Sequence, residues 1–380
     1  MMRTARTTRL GAALLTLIAV ALFDTGTTAA AEVPQSPPAA RTITVPEPPV
    51  KMAGATPEQA EYLRAFDTGQ RQFEATLREG RSDDAWRLVR VAYPSPVQTP
   101  WPENNTVPCE LYLPRNAAAA KVPAAVVLDI LDGSAFVARA LACGLAEQGV
   151  AALYVPMACY GPRRPAGGAH YRYYAEHPEK TVDNLRQTVM DIRRGKAVLA
   201  ALPEIDPDRI GITGVSLGGI VTSLAAGVDG TFHRVVPILA GGDVAAICFH
   251  ARETRRIREA CKAKGITQEQ LAAMLRPVEP LTFAGRVDPA TCLMINAAKD
   301  EVIPPAATAA LWTAIGSPQM LTVPVGHYGA GLFLPNIRQR TIDFMLGRPV
   351  DRIEFVAPRE TTKRSEGRPS RPTPSPAGCR

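Results

Sequence analysis

The sequence predicts an α/β protein whose open sheet is mostly parallel, begins antiparallel and is covered by helices on both faces. Three observations lead there. From Ala124 onward, short runs that are apolar through their whole length alternate with helical patterns, as strands buried on both faces require. One run, Arg209 to Val215, passes through Gly214-Val215-Ser216-Leu217-Gly218 straight into a helical pattern, leaving no room for a longer loop. The chain has 380 residues, 46% of them hydrophobic and 21% charged, which is enough for one large core and excludes a collagen, a chain disordered throughout or a multi-span membrane protein.

The elements follow in order. Arg3, Arg6 and Arg9 precede an apolar run from Leu10 to Phe23 and the small residues Thr27 to Ala31. The run is short of the ~20 residues a spanning helix needs, and Ala29 and Ala31 form an A-x-A-like cleavage site. Residues 1–31 therefore read as a signal peptide, the mature chain starting at Glu32 in the periplasm or outside the cell; an uncleaved N-terminal anchor is the competing reading. No Cys follows the apolar run, which argues against a lipid anchor. Residues 32–50 and 358–380 are rich in Pro, Ser and Ala or charge, and read as a disordered linker and a disordered basic tail. One domain is expected over 51–350. It opens with a helical stretch over about Pro57 to Glu79, followed by strands over Trp86 to Tyr93 and Val107 to Leu113. Between these lies a Pro-rich turn whose Asn104-Asn105-Thr106 matches a glycosylation sequon but reads better as a polar turn. The parallel strands are expected over Ala124 to Leu131, Ala151 to Pro156, Arg209 to Val215, Val235 to Ala240, Thr291 to Ala298 and Met320 to Val325. Between the second and third, Leu185, Val189, Ile192 and Leu199 share one helix face. An insertion over Asp243 to Phe283, with a charged helix and a capping box from Thr267 to Gln270, is expected to lie over the carboxyl edge of the sheet as a cap.

The net charge of +7 is carried by the ends: residues 1–31 hold +2 and residues 358–380 hold +4, leaving +1 for the body. A nearly neutral body argues against nucleic acid as the partner. Seven cysteines, at 109, 143, 159, 248, 261, 292 and 379, include no C-x-x-C pair, and Cys143 and Cys292 read as small core residues. No phosphate loop or dinucleotide fingerprint is present, so no nucleotide cofactor is implied. His170, Glu176 and His177 lack metal-ligand spacing, and no metal site is expected.

In an open α/β sheet, ligands bind outside the carboxyl ends of the strands. Gly214-Val215-Ser216-Leu217-Gly218 is a G-x-S-x-G at such an end, between strand and helix, where a tight turn exposes the serine hydroxyl at the N-terminus of the helix. A serine with an ordinary hydroxyl is a poor nucleophile and needs a base and an acid later in the chain. His327, bracketed by Gly326 and Gly329 after the last strand, supplies the base; Asp300, after the strand ending at Ala298, supplies the acid, with neighbouring Glu301 the competitor. The amide of Leu217 is one expected donor to an oxyanion.

Across Trp86 to Arg348, with Ser216, Asp300, His327 and the loop Ile130-Leu131-Asp132-Gly133-Ser134, the chain resembles the dienelactone hydrolase branch of the α/β-hydrolase superfamily. It is also similar to a group of exported bacterial hydrolases with a Gly-Pro-Arg-Arg loop. The resemblance implies the α/β-hydrolase fold and assigns the second oxyanion amide to Leu131, with Asp132 the alternative. Two departures bear on specificity: Ser216 stands where the type enzymes carry cysteine, and Ile130 stands where they carry an acidic residue. The chain then looks like a serine esterase variant acting on a small-molecule ester. The loop Tyr160-Gly161-Pro162-Arg163-Arg164 follows another strand end, so Tyr160, Arg163 and Arg164 are candidates to contact substrate, the arginines through a carboxylate. A peptidase or thioesterase with the same three residues, and a non-catalytic binding protein of the same fold, are the competing functions.

Overall fold

The antiparallel start is longer than the sequence suggests. In the computed structural model, which describes residues 40–351 apart from 119, 132, 167–176, 178 and 179, four strands precede the first parallel one. They are β1 (Arg41–Pro46), β2 (Gln72–Ser82), β3 (Trp86–Pro94) and β4 (Thr106–Pro114), each antiparallel to the next. Two expectations are corrected here. The linker expected over 32–50 contains β1, because Val45 and Val50 are buried and Glu47 makes a buried ion pair with Arg194 at 2.7 Å. The helical stretch expected over Pro57 to Glu79 stops at Arg64, as α1 (Pro57–Arg64), and its second half is β2. Phe73, Ala75 and Leu77 are buried on alternate positions, a period of two that a helix cannot satisfy.

The parallel strands are β5 (Val122–Leu128), β6 (Ala151–Tyr154), β7 (Ile205–Val215), β8 (Val235–Ile238), β9 (Leu293–Ala297) and β10 (Gln319–Val323). The sheet order is β1-β2-β3-β4-β6-β5-β7-β8-β9-β10. All of β5, β6 and β8 is buried, which accounts for their uninterrupted apolar composition. After β5 comes α2 (Phe136–Glu147), after β6 α3 (Lys180–Ala201) and after β7 α4 (Leu217–Asp229). The insertion between β8 and β9 holds α5 (Val244–His250), α6 (Arg255–Ala263), α7 (Gln268–Leu275) and α8 (Pro280–Phe283). Helix α9 (Pro305–Ile315) follows β9, and α10 (Leu334–Met345) follows β10.

The alternating side chains of the sheet divide the core in two. On one face Ala125, Val127, Ile238 and Ile295 pack beneath α2 and α10. On the other, Val126, Ile212 and Met294 pack beneath α3, α4 and the insertion. The insertion has its own buried residues, Ile247, Cys248, Cys261, Leu271 and Phe283, and the Thr267 capping box forms as the sequence predicts. Asn104, the first residue of the sequon, is fully buried and accepts the Cys159 N–H at 2.8 Å, so it is a structural turn residue. None of the six described cysteines is in a disulfide; Cys292 is buried and Cys143 half-buried. Among the described residues no helix is long and apolar enough to cross a membrane. The signal-peptide region and the basic tail lie outside the described residues.

Candidate active site

Because β5, β7, β9 and β10 run parallel, the loops that leave them emerge along one edge. Ser216 forms the whole turn between β7 and α4, with φ 58° and ψ −117°. A side chain in that conformation is strained, and tight neighbours on both sides enforce it. The Ser216 N–H donates to Ile238 O at 2.9 Å, and Ile220 N–H donates to Ser216 O at 3.0 Å. A Cβ at Gly214 would lie 2.5 Å from Gly218 O, and one at Gly218 2.5 Å from Asp129 O. Only glycine allows the turn, the helix start and the β5 loop to meet this closely.

Two further strand ends complete the arrangement. Asp300 follows β9, and its Oδ1 accepts the N–H groups of Val302 at 2.9 Å and Ile303 at 2.7 Å, fixing the carboxylate before any partner is considered. His327 follows β10, with Nδ1 2.9 Å from Asp300 Oδ2 and Nε2 3.0 Å from Ser216 Oγ. A carboxylate only accepts, so Nδ1 carries the proton and Nε2 is left to accept from the serine hydroxyl. Both His327 and Asp300 are about nine-tenths buried (9% exposed each), so the chain of hydrogen bonds works against little competing water. Glu301, the competing acid, points elsewhere. Its Oε2 accepts the backbone N–H of His327 at 2.8 Å, and a Cβ at Gly326 would fall 2.3 Å from that oxygen. The sequence thus brings the right residue types together but hides this second carboxylate's task, which is to hold the histidine loop.

Leu217 begins α4, with its amide at the helix N-terminus, and Leu131 lies in the turn after β5. The contact of Gly218 with Asp129 O sets the start of that turn against the start of α4. Asp132 lies outside the described residues. Asp129, which the sequence did not single out although it directly follows β5, is buried; its Oδ2 accepts Ala135 N–H at 2.6 Å and so shapes the turn. Tyr160 is half-buried with its Cβ near Gly133, alongside the same turn. Arg164 is exposed just after it.

Arg163 does not reach the site. It is fully buried, paired to Asp191 at 2.8 Å with both side chains at 0% exposure, and it donates to Pro156 O and Asn104 O. The expected substrate contact is therefore corrected: the arginine pins the Gly-Pro-Arg loop to α3, because a buried guanidinium must spend its donors on nearby acceptors. The insertion packs beside α4, α9 and α3 and touches the histidine loop through the Tyr328 hydroxyl, which donates to Glu253. Burial, then this bond, push the Tyr328 hydroxyl above its ordinary value. Of the residues read as unlike metal ligands, His170 and Glu176 lie outside the described residues; among those described, no cluster of His, Cys, Asp or Glu could hold a metal ion.

A family model described as alpha/beta hydrolase domain containing 18 matches residues 95–251, a span that ends before Asp300 and His327. No curated protein matches the chain in sequence. Among solved structures it is similar to an acetyl xylan esterase from a Paenibacillus species, at 18% identity and TM-score 0.61 over 78% of this chain and 96% of the other. Acetyl xylan esterase 1 from Thermoanaerobacterium is similar at 16% identity and TM-score 0.60, over 76% and 94%. An acylaminoacyl peptidase from Pyrococcus horikoshii is similar at 14% identity and TM-score 0.50, over 75% of this chain and 49% of the peptidase. Sheet order and the likeness to these solved structures agree that this chain has the α/β-hydrolase fold, and the hydrolase-domain model matches its central strands.

Proposed function

We propose that the protein is an exported serine hydrolase that cleaves a small-molecule carboxylic ester through an acyl-enzyme on Ser216. The observation that carries this reading is the unbroken chain from Ser216 Oγ to His327 Nε2 and from His327 Nδ1 to Asp300, at 3.0 and 2.9 Å. Ser216 Oγ bonds to the ester carbonyl carbon while its proton passes to His327 Nε2, and the negative charge that collects on the carbonyl oxygen is met by the amides of Leu217 and Leu131. Collapse of that intermediate breaks the bond to the alcohol, which leaves with the proton held by His327. Water then enters by the reverse sequence and frees the acid. Asp300 accepts from Nδ1 and orients the imidazole. No cofactor is needed for this chemistry.

Acetyl esters are the first substrates to test, since both acetyl xylan esterases named above share the fold over most of this chain. A peptide substrate would need an open cleft beside the serine. The experiment is labelling of the purified protein by a fluorophosphonate, followed by a panel of nitrophenyl esters of increasing acyl length. Labelling that disappears in Ser216→Ala, with turnover falling beyond short acyl chains, is the expected outcome. A folded protein that resists the probe and turns over no ester would instead be a binding protein of this fold.

A further inference from the structure

The antiparallel strands present two very different faces. On one, Ala75, Leu77, Val89, Val91 and Tyr93 join the core. On the other, α2 covers Trp86, Leu88 and Tyr112 and then stops, leaving the far end of the face open. The strand register sets a row of side chains across this open end: Arg78 opposite Arg90, Arg90 opposite Glu110, and Glu110 opposite Tyr154. Ala92 and Pro108 form a parallel, apolar row beside it. The loops at Gly133 and Gly161 meet closely enough that a Cβ on Gly133 would lie 2.8 Å from Gly161 N, and with Pro162 they wall a cavity of about 430 Å³ over these residues. That is room for a sugar-sized molecule.

Among the described residues, the charges in the cavity are not balanced from within. Directly opposed residues on one sheet face stand about 5 Å apart, and like charges in such a pair cost stability. Arg78 and Arg90 are such a pair, both exposed. The carboxylate beside Arg90 is engaged elsewhere: Glu110 accepts Arg139 Nε at 2.8 Å and Nη2 at 2.7 Å, and the Tyr112 hydroxyl at 2.9 Å. Among the described residues, Arg78, Arg90 and Arg139 against Glu110 leave a net charge of +2 in a pocket with an apolar floor. None of Ser216, Asp300 or His327 lines it.

We propose that this cavity binds a small organic carboxylate, whose oxygens are held by Arg78 and Arg90 while its carbon skeleton lies on Ala92, Pro108 and Pro162. Two guanidinium forks side by side suit a planar carboxylate, and the apolar floor favours an organic anion over an inorganic one. The assignment stands apart from the reading of Ser216, because the two sites share no residue.

Calorimetric titration of the full chain with glucuronate at low ionic strength, with glucose as the uncharged counterpart and sulfate as the inorganic one, tests it. Glucuronate is expected to bind once per chain, more weakly as salt is added, and glucose not at all. Arg78→Gln or Arg90→Gln should each weaken binding about tenfold or more, Arg78→Lys less, with turnover of nitrophenyl acetate unchanged. Ser216→Ala should bind as the parent does, so failure of the hydrolase reading would leave this one intact. No heat with millimolar glucuronate, affinity unchanged in both arginine variants, or sulfate bound as tightly as glucuronate would each overturn the assignment.

Discussion

Ser216 is held at φ 58° by its neighbours, and that strain is the local cost of aiming Oγ at His327. Its removal is informative because the surrounding turn does not depend on the hydroxyl. Ser216→Ala or His327→Ala should lower kcat by about four orders of magnitude or more with the unfolding midpoint little changed, and Asp300→Asn by about three to four. Glu301 should behave differently, since it acts only through the backbone N–H of His327. Glu301→Ala is expected to lower kcat about tenfold with KM nearly constant, and Glu301→Gln, which keeps an accepting oxygen, to recover most of the loss. A dead Glu301→Gln beside an active Asp300→Asn would exchange the two assignments. Arg163 makes the opposite kind of prediction. Arg163→Met strands Asp191, whose carboxyl burial already pushes above the usual range, so stability should fall by about 3 kcal/mol or more in urea unfolding, with no selective rise in KM for charged esters.

At the scale of elements, α3 and α4 are joined by a second buried cluster. Asp229 ends α4 and accepts Lys196 and the Thr231 hydroxyl, with Arg193 Nε 3.6 Å away. Burial raises the Asp229 carboxyl, but the charge and hydrogen bond of Lys196, the Thr231 bond and Arg193 outweigh it and hold the group below its ordinary value of 3.8. At Lys196 the balance goes the other way, burial outweighing the same attraction and lowering the ammonium. A depressed aspartate contributes stability that is fully present above its unfolded value and lost as pH falls through the folded one. Asp229→Asn should therefore cost most near neutral pH, about 3 kcal/mol, and the gap between variant and parent should close as pH drops below 3.8. A gap independent of pH would mean that the cluster matters only by shape. The elements also explain a misreading. Pro57 to Glu79 looks helical because α1 and β2 are both amphipathic and the seven residues between them include the buried Phe66; the alternating burial of Phe73, Ala75 and Leu77 separates them.

For the whole molecule, the net charge of +7 is carried by the two ends, residues 1–31 holding +2 and residues 358–380 holding +4, and the body is nearly neutral. If residues 1–31 are cleaved on export, N-terminal sequencing of protein from the cell envelope should begin near Glu32. Full-length chain recovered from the cytosol would sink that expectation.

The sequence by itself determined the parallel half of the sheet, because strands buried on both faces need uninterrupted apolar runs. It also singled out Ser216, Asp300 and His327, because each follows such a run, and the structure places these three within hydrogen-bond distance of one another. Tertiary structure alone decided the rest. Glu47 and Val50 look like linker residues until Arg194 and the core receive them. Arg163 looks like a substrate contact until Asp191, 28 positions along the chain, claims it. Arg78 and Arg90 become a pair only through the β2–β3 register. In each case the partner that fixes the role of a charged side chain lies on another element. A charge is indifferent to its neighbours in sequence and is decided by what faces it after folding.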